Sequence, residues 1–200
     1  MKALVTGAGG FIGAAVLARA PRAVDELRVH IGPADDPTRL PPDLARIRCD
    51  IADAETWAAL ARDVDVLIHL AGPASVADSF GDAPEFVRAH VLGTEAALRV
   101  ALDAGIPRFV HASSAEVYGA PEANPVPESA PLRPRSPYGA AKVGAEALVG
   151  ATNRTGGPDA IVLRPFSVYG PGMRRSSLFG TILDQVARGG DVTLHDPSST

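Results

Sequence analysis

Two hundred residues are enough for one medium domain whose core needs neither disulfides nor a metal. At 46% hydrophobic and 21% charged, with a formal net charge of −4 and no block of like charges, the chain lacks the composition of a disordered segment or a nucleic-acid-binding surface. Its single cysteine, Cys49, excludes an intramolecular disulfide, leaves a thiolate metal cluster without ligands and points to a reducing compartment.

Residues 2–6 read as a buried strand, and the glycine-rich turn after them opens a helix over about 10–19. That turn interrupts the apolar N-terminal segment where a secretory signal must be continuous, and no apolar run reaches the roughly 18 residues of a membrane span. A cytoplasmic protein with no membrane partner is therefore expected. Further strands are predicted at 27–31, 45–49, 64–70, 108–112 and 160–164, with helices at about 54–62, 84–104, 137–153 and 175–189. Asp53 fits the N-cap of the 54–62 helix, and Gly105 with Pro107 fits the stop of the 84–104 helix. Strands apolar on both faces, alternating with helices, predict an α/β fold: a doubly wound parallel sheet covered on each side. The segment 119–137 holds six prolines. Chemically suggestive residues flank it closely, so it reads as an ordered loop beside a site rather than an interdomain linker.

Gly7-Ala8-Gly9-Gly10-Phe11-Ile12-Gly13 lies where the first strand gives way to the first helix. Glycines there permit a tight turn, close approach of backbone to a diphosphate, and close packing of helix on strand. The helix N-terminus adds free N–H groups and the positive end of its dipole. The spacing is Gly7-x-x-Gly10-x-x-Gly13, and a strict Gly-x-Gly-x-x-Gly would need glycine in place of Ile12. The strand–turn–helix context nonetheless points to dinucleotide binding. In Tyr138-Gly139-Ala140-Ala141-Lys142 the phenol and the ammonium share one helix face. A nearby positive charge favours phenolate, so Lys142 is expected to lower the Tyr138 pKa and suit it to move a hydroxyl proton. Ser114, just past the 108–112 strand, is placed to hydrogen-bond the same substrate oxygen.

Further motifs are Cys49-Asp50-Ile51, His69-Leu70-Ala71-Gly72, Val91-Leu92-Gly93-Thr94, Ser113-Ser114-Ala115-Glu116-Val117-Tyr118-Gly119 and Leu163-Arg164-Pro165-Phe166-Ser167-Val168-Tyr169-Gly170-Pro171-Gly172. With them the chain resembles, from residue 1 to about 196, the extended short-chain dehydrogenase/reductases, the NAD-dependent epimerase/dehydratase group. The resemblance implies a Rossmann-type domain over 1–172 and, at 173–200, the beginning of a substrate-binding region that is cut short. It implies that Gly7, Gly10, Phe11, Ile12 and Gly13 hold the cofactor and that Asp50 and Ile51 flank its adenine. Ala71 and Gly72, with Leu70, would line its phosphates and ribose, and Pro165 and Phe166 would lie against the nicotinamide. Ser114, Tyr138 and Lys142 become the catalytic trio, the last two also touching cofactor. Ser75, Ser114 and Ser167 become substrate contacts. The implied activity is transient oxidation of a nucleotide-sugar carbon by NAD, then epimerisation, elimination or decarboxylation. The implied assembly is a homodimer packed through the helices near 84–104 and 137–153. An NADP-dependent reductase of a non-sugar carbonyl and a non-catalytic dinucleotide-binding protein stay open as alternatives.

Departures from the family pattern sharpen these expectations. The second strand ends His30-Ile31-Gly32-Pro33, without the acid that NAD-preferring relatives place there. Asp35 and Asp36 follow within reach, as does Arg39, which suits a 2′-phosphate. His90 stands where relatives carry asparagine and reads as a satisfied structural residue. Ser167 stands where an asparagine commonly meets the substrate diphosphate. Ala115 replaces the aspartate acid of 4,6-dehydratases, so ordinary 4,6-dehydration is disfavoured and Glu116 remains as candidate base. Val192-Thr193-Leu194-His195-Asp196 resembles the start of the substrate region. Cys49, Trp57 and His111 read as core residues.

Overall fold

The computed structural model describes residues 1–20, 24–173, 175, 177–189 and 191–193, the side chain of Arg39 excepted. Six strands, β1 (Lys2–Thr6), β2 (Glu26–Ile31), β3 (Ala45–Arg48), β4 (Val66–His69), β5 (Arg108–Ala112) and β6 (Asp159–Leu163), form one sheet. Every adjacent pair is parallel, and the order is β3-β2-β1-β4-β5-β6. The doubly wound parallel sheet is the one expected, and β1 lies at its centre. Winding reverses between β1 and β4, and in such sheets the ligand crevice lies at that reversal, outside the carboxyl ends of the strands.

Alternate strand residues face opposite sides, and the register turns this into two cores. Leu4 pairs with Leu67 and Leu67 with Phe109, and all three are buried against α2 (Ala54–Trp57), α5 (Gly93–Asp103) and α6 (Pro137–Arg154). On the other face Val5 pairs with Val29, and both pack with Leu17 at the end of α1 (Phe11–Leu17). Two residues further along the first face, the apolar row gives way to a polar one. His30, Thr6, His69 and His111 sit side by side on four strands, none more than 1% exposed.

The helix predicted at 84–104 is three pieces: α4 (Ala83–Val87), a π turn at Arg88–Leu92, and α5. Gly105 does stop it, at φ 65°, with the Ile106 amide donating to Ala101 O at 2.8 Å. The helix predicted at 54–62 is α2 followed by a 3-10 turn, Ala58–Ala61. Asp53 occupies its N-cap position, but the carboxylate accepts from the Thr56 hydroxyl rather than from a backbone amide. The short α3 (Val76–Gly81) and the 3-10 turn Ala115–Tyr118 have too few residues to show a period in sequence.

The proline-rich segment folds back on the domain. Arg164 Nη1 donates to Glu128 O at 2.9 Å. Gly119, at φ 66°, passes so near Arg133 that a Cβ there would lie 1.9 Å from the Arg133 oxygen. By contact density the chain forms two compact units, Met1–Phe166 and Ser167–Thr200. The second holds α7 (Leu178–Ala187), whose first turn is capped by the Ser177 hydroxyl accepting from the Gly180 amide at 3.1 Å. Residues 194–196 of the Val192–Asp196 motif lie outside the described residues.

Candidate active site

The turn after β1 is pressed against the turn after β4. A Cβ on Gly7, at φ 70°, would lie 2.7 Å from the Ala71 backbone, and one on Gly13 would lie 2.4 Å from Gly7 O. Among the described residues no side chain caps α1, whose N-cap is Gly10, which leaves its first amides for a ligand. Over this turn stands a carboxylate. A Cβ on Gly9 would lie 2.6 Å from the Asp35 side chain, which the Gly32 amide holds at 2.8 Å. Asp36 does different work, accepting from the Thr38 amide at 2.9 Å to cap the Pro37–Arg39 turn. The side chain of Arg39 lies outside the described residues.

Around this turn the Leu70 amide donates to Thr6 O at 3.2 Å, Ala71 is buried, and Gly72 is exposed at φ 126°. Asp50 pairs with Arg88 and accepts from the Ala52 amide at 2.8 Å. The Ile51 side chain turns into the core, where a Cβ on Gly93 would lie 2.7 Å from it. Its carbonyl accepts from Trp57 Nε1 at 3.0 Å.

Ser136 caps α6, its hydroxyl accepting from the Gly139 amide at 3.0 Å, and so fixes Tyr138 in the first turn. One turn on, Lys142 Nζ donates to Ala112 O at the end of β5 (2.7 Å) and lies 5.9 Å from the centre of the Tyr138 ring. Ser114 lies two residues past β5, with its hydroxyl near enough to Tyr138 to lower the tyrosine's pKa. Its hydroxyl also accepts from the Glu116 amide at 3.2 Å. Serine, tyrosine and lysine thus converge at the carboxyl edge of the sheet. Glu116 is exposed, and its carboxylate makes no hydrogen bond or ion pair among the described residues.

The electrostatics differ from the expectation for Tyr138. Burial raises its pKa, the Ser114 hydrogen bond pulls it back, and the Glu116 charge pushes it up again. Burial also lowers Lys142 to about 7, with Glu146 holding it up in part. Desolvation, which the spacing of the two residues in sequence does not reveal, is the largest influence on each.

Residues 3–199 match the model of the NAD dependent epimerase/dehydratase family. The chain belongs to that family. It is 38% identical over 182 residues to a dTDP-glucose 4,6-dehydratase of Streptomyces antibioticus, covering 86% of this chain and 54% of that one. A UDP-glucose 4-epimerase of Azospirillum brasilense is 33% identical over 172 residues, covering 84% and 49%. Among solved structures, a dTDP-glucose 4,6-dehydratase of Streptomyces venezuelae with NAD bound superposes with a TM-score of 0.87 at 35% identity, covering 98% of this chain and 65% of that one. The chain therefore spans about half the length of the curated relatives named here.

As an epimerase/dehydratase family member the protein carries one polar cluster that the sequence reading missed. Glu146, one turn past Lys142, is 9% exposed and accepts from Arg164 Nε at 2.9 Å, from Arg164 Nη2 at 2.7 Å and from the Ser113 hydroxyl. Arg164 Nη1 reaches Tyr118 OH at 2.9 Å as well as Glu128 O. The available signal was spacing, since Tyr138, Lys142 and Glu146 recur every four residues. Of the residues assigned to substrate, Ser75 caps α3, accepting from the Asp78 amide at 3.2 Å. Ser167 opens the second unit. Pro165 O accepts from the Ala115 amide at 2.9 Å, and Phe166 is 62% exposed.

Proposed function

We propose that this protein binds NAD and modifies a nucleotide sugar by transient oxidation of a ring carbon followed by proton abstraction beside the new carbonyl. The observation that carries this is the convergence of Ser114, Tyr138 and Lys142 at the end of β5, in a fold whose glycine turn opens at the same edge of the sheet. The turn fits a dinucleotide: side chains at Gly7, Gly9 and Gly13 would collide with their neighbours, and the uncapped α1 amides are free for a diphosphate. Asp35 supports NAD over NADP, because its carboxylate can accept from ribose hydroxyls and would repel a 2′-phosphate. When bound, NAD supplies the hydride acceptor.

The remaining chemistry belongs to the chain. Tyr138, beside Ser114, acts as the phenolate, takes the hydroxyl proton as the sugar is oxidised and becomes neutral, and Lys142 offsets the phenolate charge before that transfer. Glu116, with its lone pairs free, takes the carbon-bound proton. Ala115 offers no acid for a leaving group, which favours epimerisation or an elimination whose acid comes from elsewhere. The named relatives include both dehydratases and an epimerase. A cytoplasmic homodimer accompanies this reading. It is supported by the exposed apolar Val87, Leu92 and Leu102 along α4, the π turn and α5. The test is incubation with NAD and either dTDP-glucose or UDP-glucose, followed by mass spectrometry and NMR of the sugar. The expected product has the substrate's mass or that mass less one water, with no net change in NAD. Net consumption of NADPH on a non-sugar carbonyl, with nucleotide sugars untouched, would overturn it.

A further inference from the structure

Arg88 follows α4, and two carboxylates from different elements hold its guanidinium. Nε donates to Glu85 Oε2 on α4 at 3.1 Å, and Nη2 donates to Asp50 Oδ2 in the turn after β3. The other Asp50 oxygen accepts from the Ala52 amide at 2.8 Å. A bond on each oxygen fixes the plane of the carboxylate and leaves each oxygen a second lone pair. The backbone of the turn is locked too, since the Ile51 side chain lies where a Cβ on Gly93 would come within 2.7 Å of it. Beside the carboxylate, the Ile51 N–H donates to no acceptor among the described residues. An aimed acceptor therefore adjoins a spare donor. The Arg88 side chain is 44% exposed, and ion pairs that open to water add little to folding, so stability does not account for the arrangement. Its place in the fold does. The ribose of a dinucleotide lies at the end of β2, where Asp35 stands, and the base beyond it faces the turn after the neighbouring β3.

We propose that Arg88 is a positioning residue: pinned by Glu85, it holds the Asp50 carboxylate at the angle from which it accepts the amino group of the cofactor's base, and so sets the preference for adenine. The proposal rests on the NAD-binding reading above. Adenine offers an amino donor beside a ring-nitrogen acceptor, the complement of Asp50 and the Ile51 N–H. Hypoxanthine, with a carbonyl and a ring N–H in those places, offers the reverse. Arg88 itself need not touch the base. A carboxylate fixed before binding has no rotamers left to order when the cofactor arrives.

Affinities of the full chain for NAD and for nicotinamide hypoxanthine dinucleotide are measured by calorimetry for the parent, R88M, R88K, D50N and the double variant R88M/D50N, with circular dichroism confirming the fold. Losing a positive charge near a diphosphate weakens both dinucleotides alike, so the ratio of the two affinities reports the base. The parent is expected to prefer NAD by about tenfold or more, the scale of a base read by two bonds. R88M should reduce that preference by about threefold to tenfold, the cost of ordering one side chain on binding. In the D50N background the same change should leave the preference where D50N alone puts it. R88K, with one nitrogen in place of three, should lose part of the preference, and it decides if R88M does not fold. A preference unchanged in R88M, lowered by R88M equally with and without Asp50, or absent from the parent overturns the role of Arg88 while leaving NAD binding standing. A parent that binds neither dinucleotide overturns both.

Discussion

Two glutamates near the site have the same side chain and opposite situations. Glu146 is buried, with both carboxylate oxygens engaged by Arg164 and one also by Ser113, so its lone pairs are committed. Glu116 is exposed and unpaired among the described residues, yet close enough for its charge to raise the Tyr138 pKa. A general base needs free lone pairs, which Glu116 has among the described residues and Glu146 lacks. The substitution Glu116→Gln keeps the shape and removes the basicity. Reduction of NAD by the sugar, read at the nicotinamide absorbance, should persist. Product formation should fall by about 10²–10⁴-fold, the usual size of a lost general base. Undiminished turnover would instead assign the proton step to Tyr138 alone.

At the level of elements, α6 is a chemical ruler, carrying Tyr138, Lys142 and Glu146 on one stripe. Glu146 holds up the Lys142 pKa against burial, so Glu146→Gln should let it sink below about 7. If activity needs the lysine charged, the alkaline limb of the kcat/KM profile should move to lower pH, and an unmoved limb would uncouple the two residues. Arg164 would also lose its counter-charge, and breaking such a pair costs on the order of 3 kcal/mol, visible as a lower melting temperature. The element carrying this stripe was legible in sequence because it is long and continuous. So was β1 with its glycine turn, where local composition and local structure agree. The Glu146–Arg164 pair was not legible, since its partners are 18 residues apart and meet only through β6 packing beside α6. The π turn was hidden for another reason: one extra residue per turn leaves the apolar pattern of residues 84–104 almost unchanged. Asp35 appeared only as one of three candidates, because the bend after β2 decides which side chain reaches Gly9.

Across the whole molecule, the polar row on the sheet ties stability to pH. His69 is held at both nitrogens, by Thr6 at 2.8 Å and Thr94 at 3.2 Å, and stacks on His111 with centroids 5.6 Å apart. His111 finds no partner for either nitrogen among the described residues. Burial lowers the pKa of every histidine in the row and of His90 behind it: His30 to about 4, His111 to about 3, His90 to about 2, and His69 well below its ordinary value. Folded values below the unfolded 6.5 mean that only the unfolded chain takes up protons as pH falls through the window between them. The stabilisation is complete above that unfolded value and is lost progressively on acidification. Each histidine in the window steepens the loss by up to about 1.4 kcal/mol per pH unit. The chain should therefore lose stability sharply below about pH 6, before most carboxylates begin to titrate. His111→Phe removes one of these groups while keeping a flat ring to stack on His69. At neutral pH its stability should stay close to the parent's, because losing two unpaired buried nitrogens offsets the strain of a larger ring. Denaturant unfolding at several values between about pH 7 and pH 4 should show the variant's stability falling less steeply, by up to about 1.4 kcal/mol per unit. Parallel curves for parent and variant would mean that His111 takes up its proton equally in both states, and that water reaches the row of histidines in the folded protein.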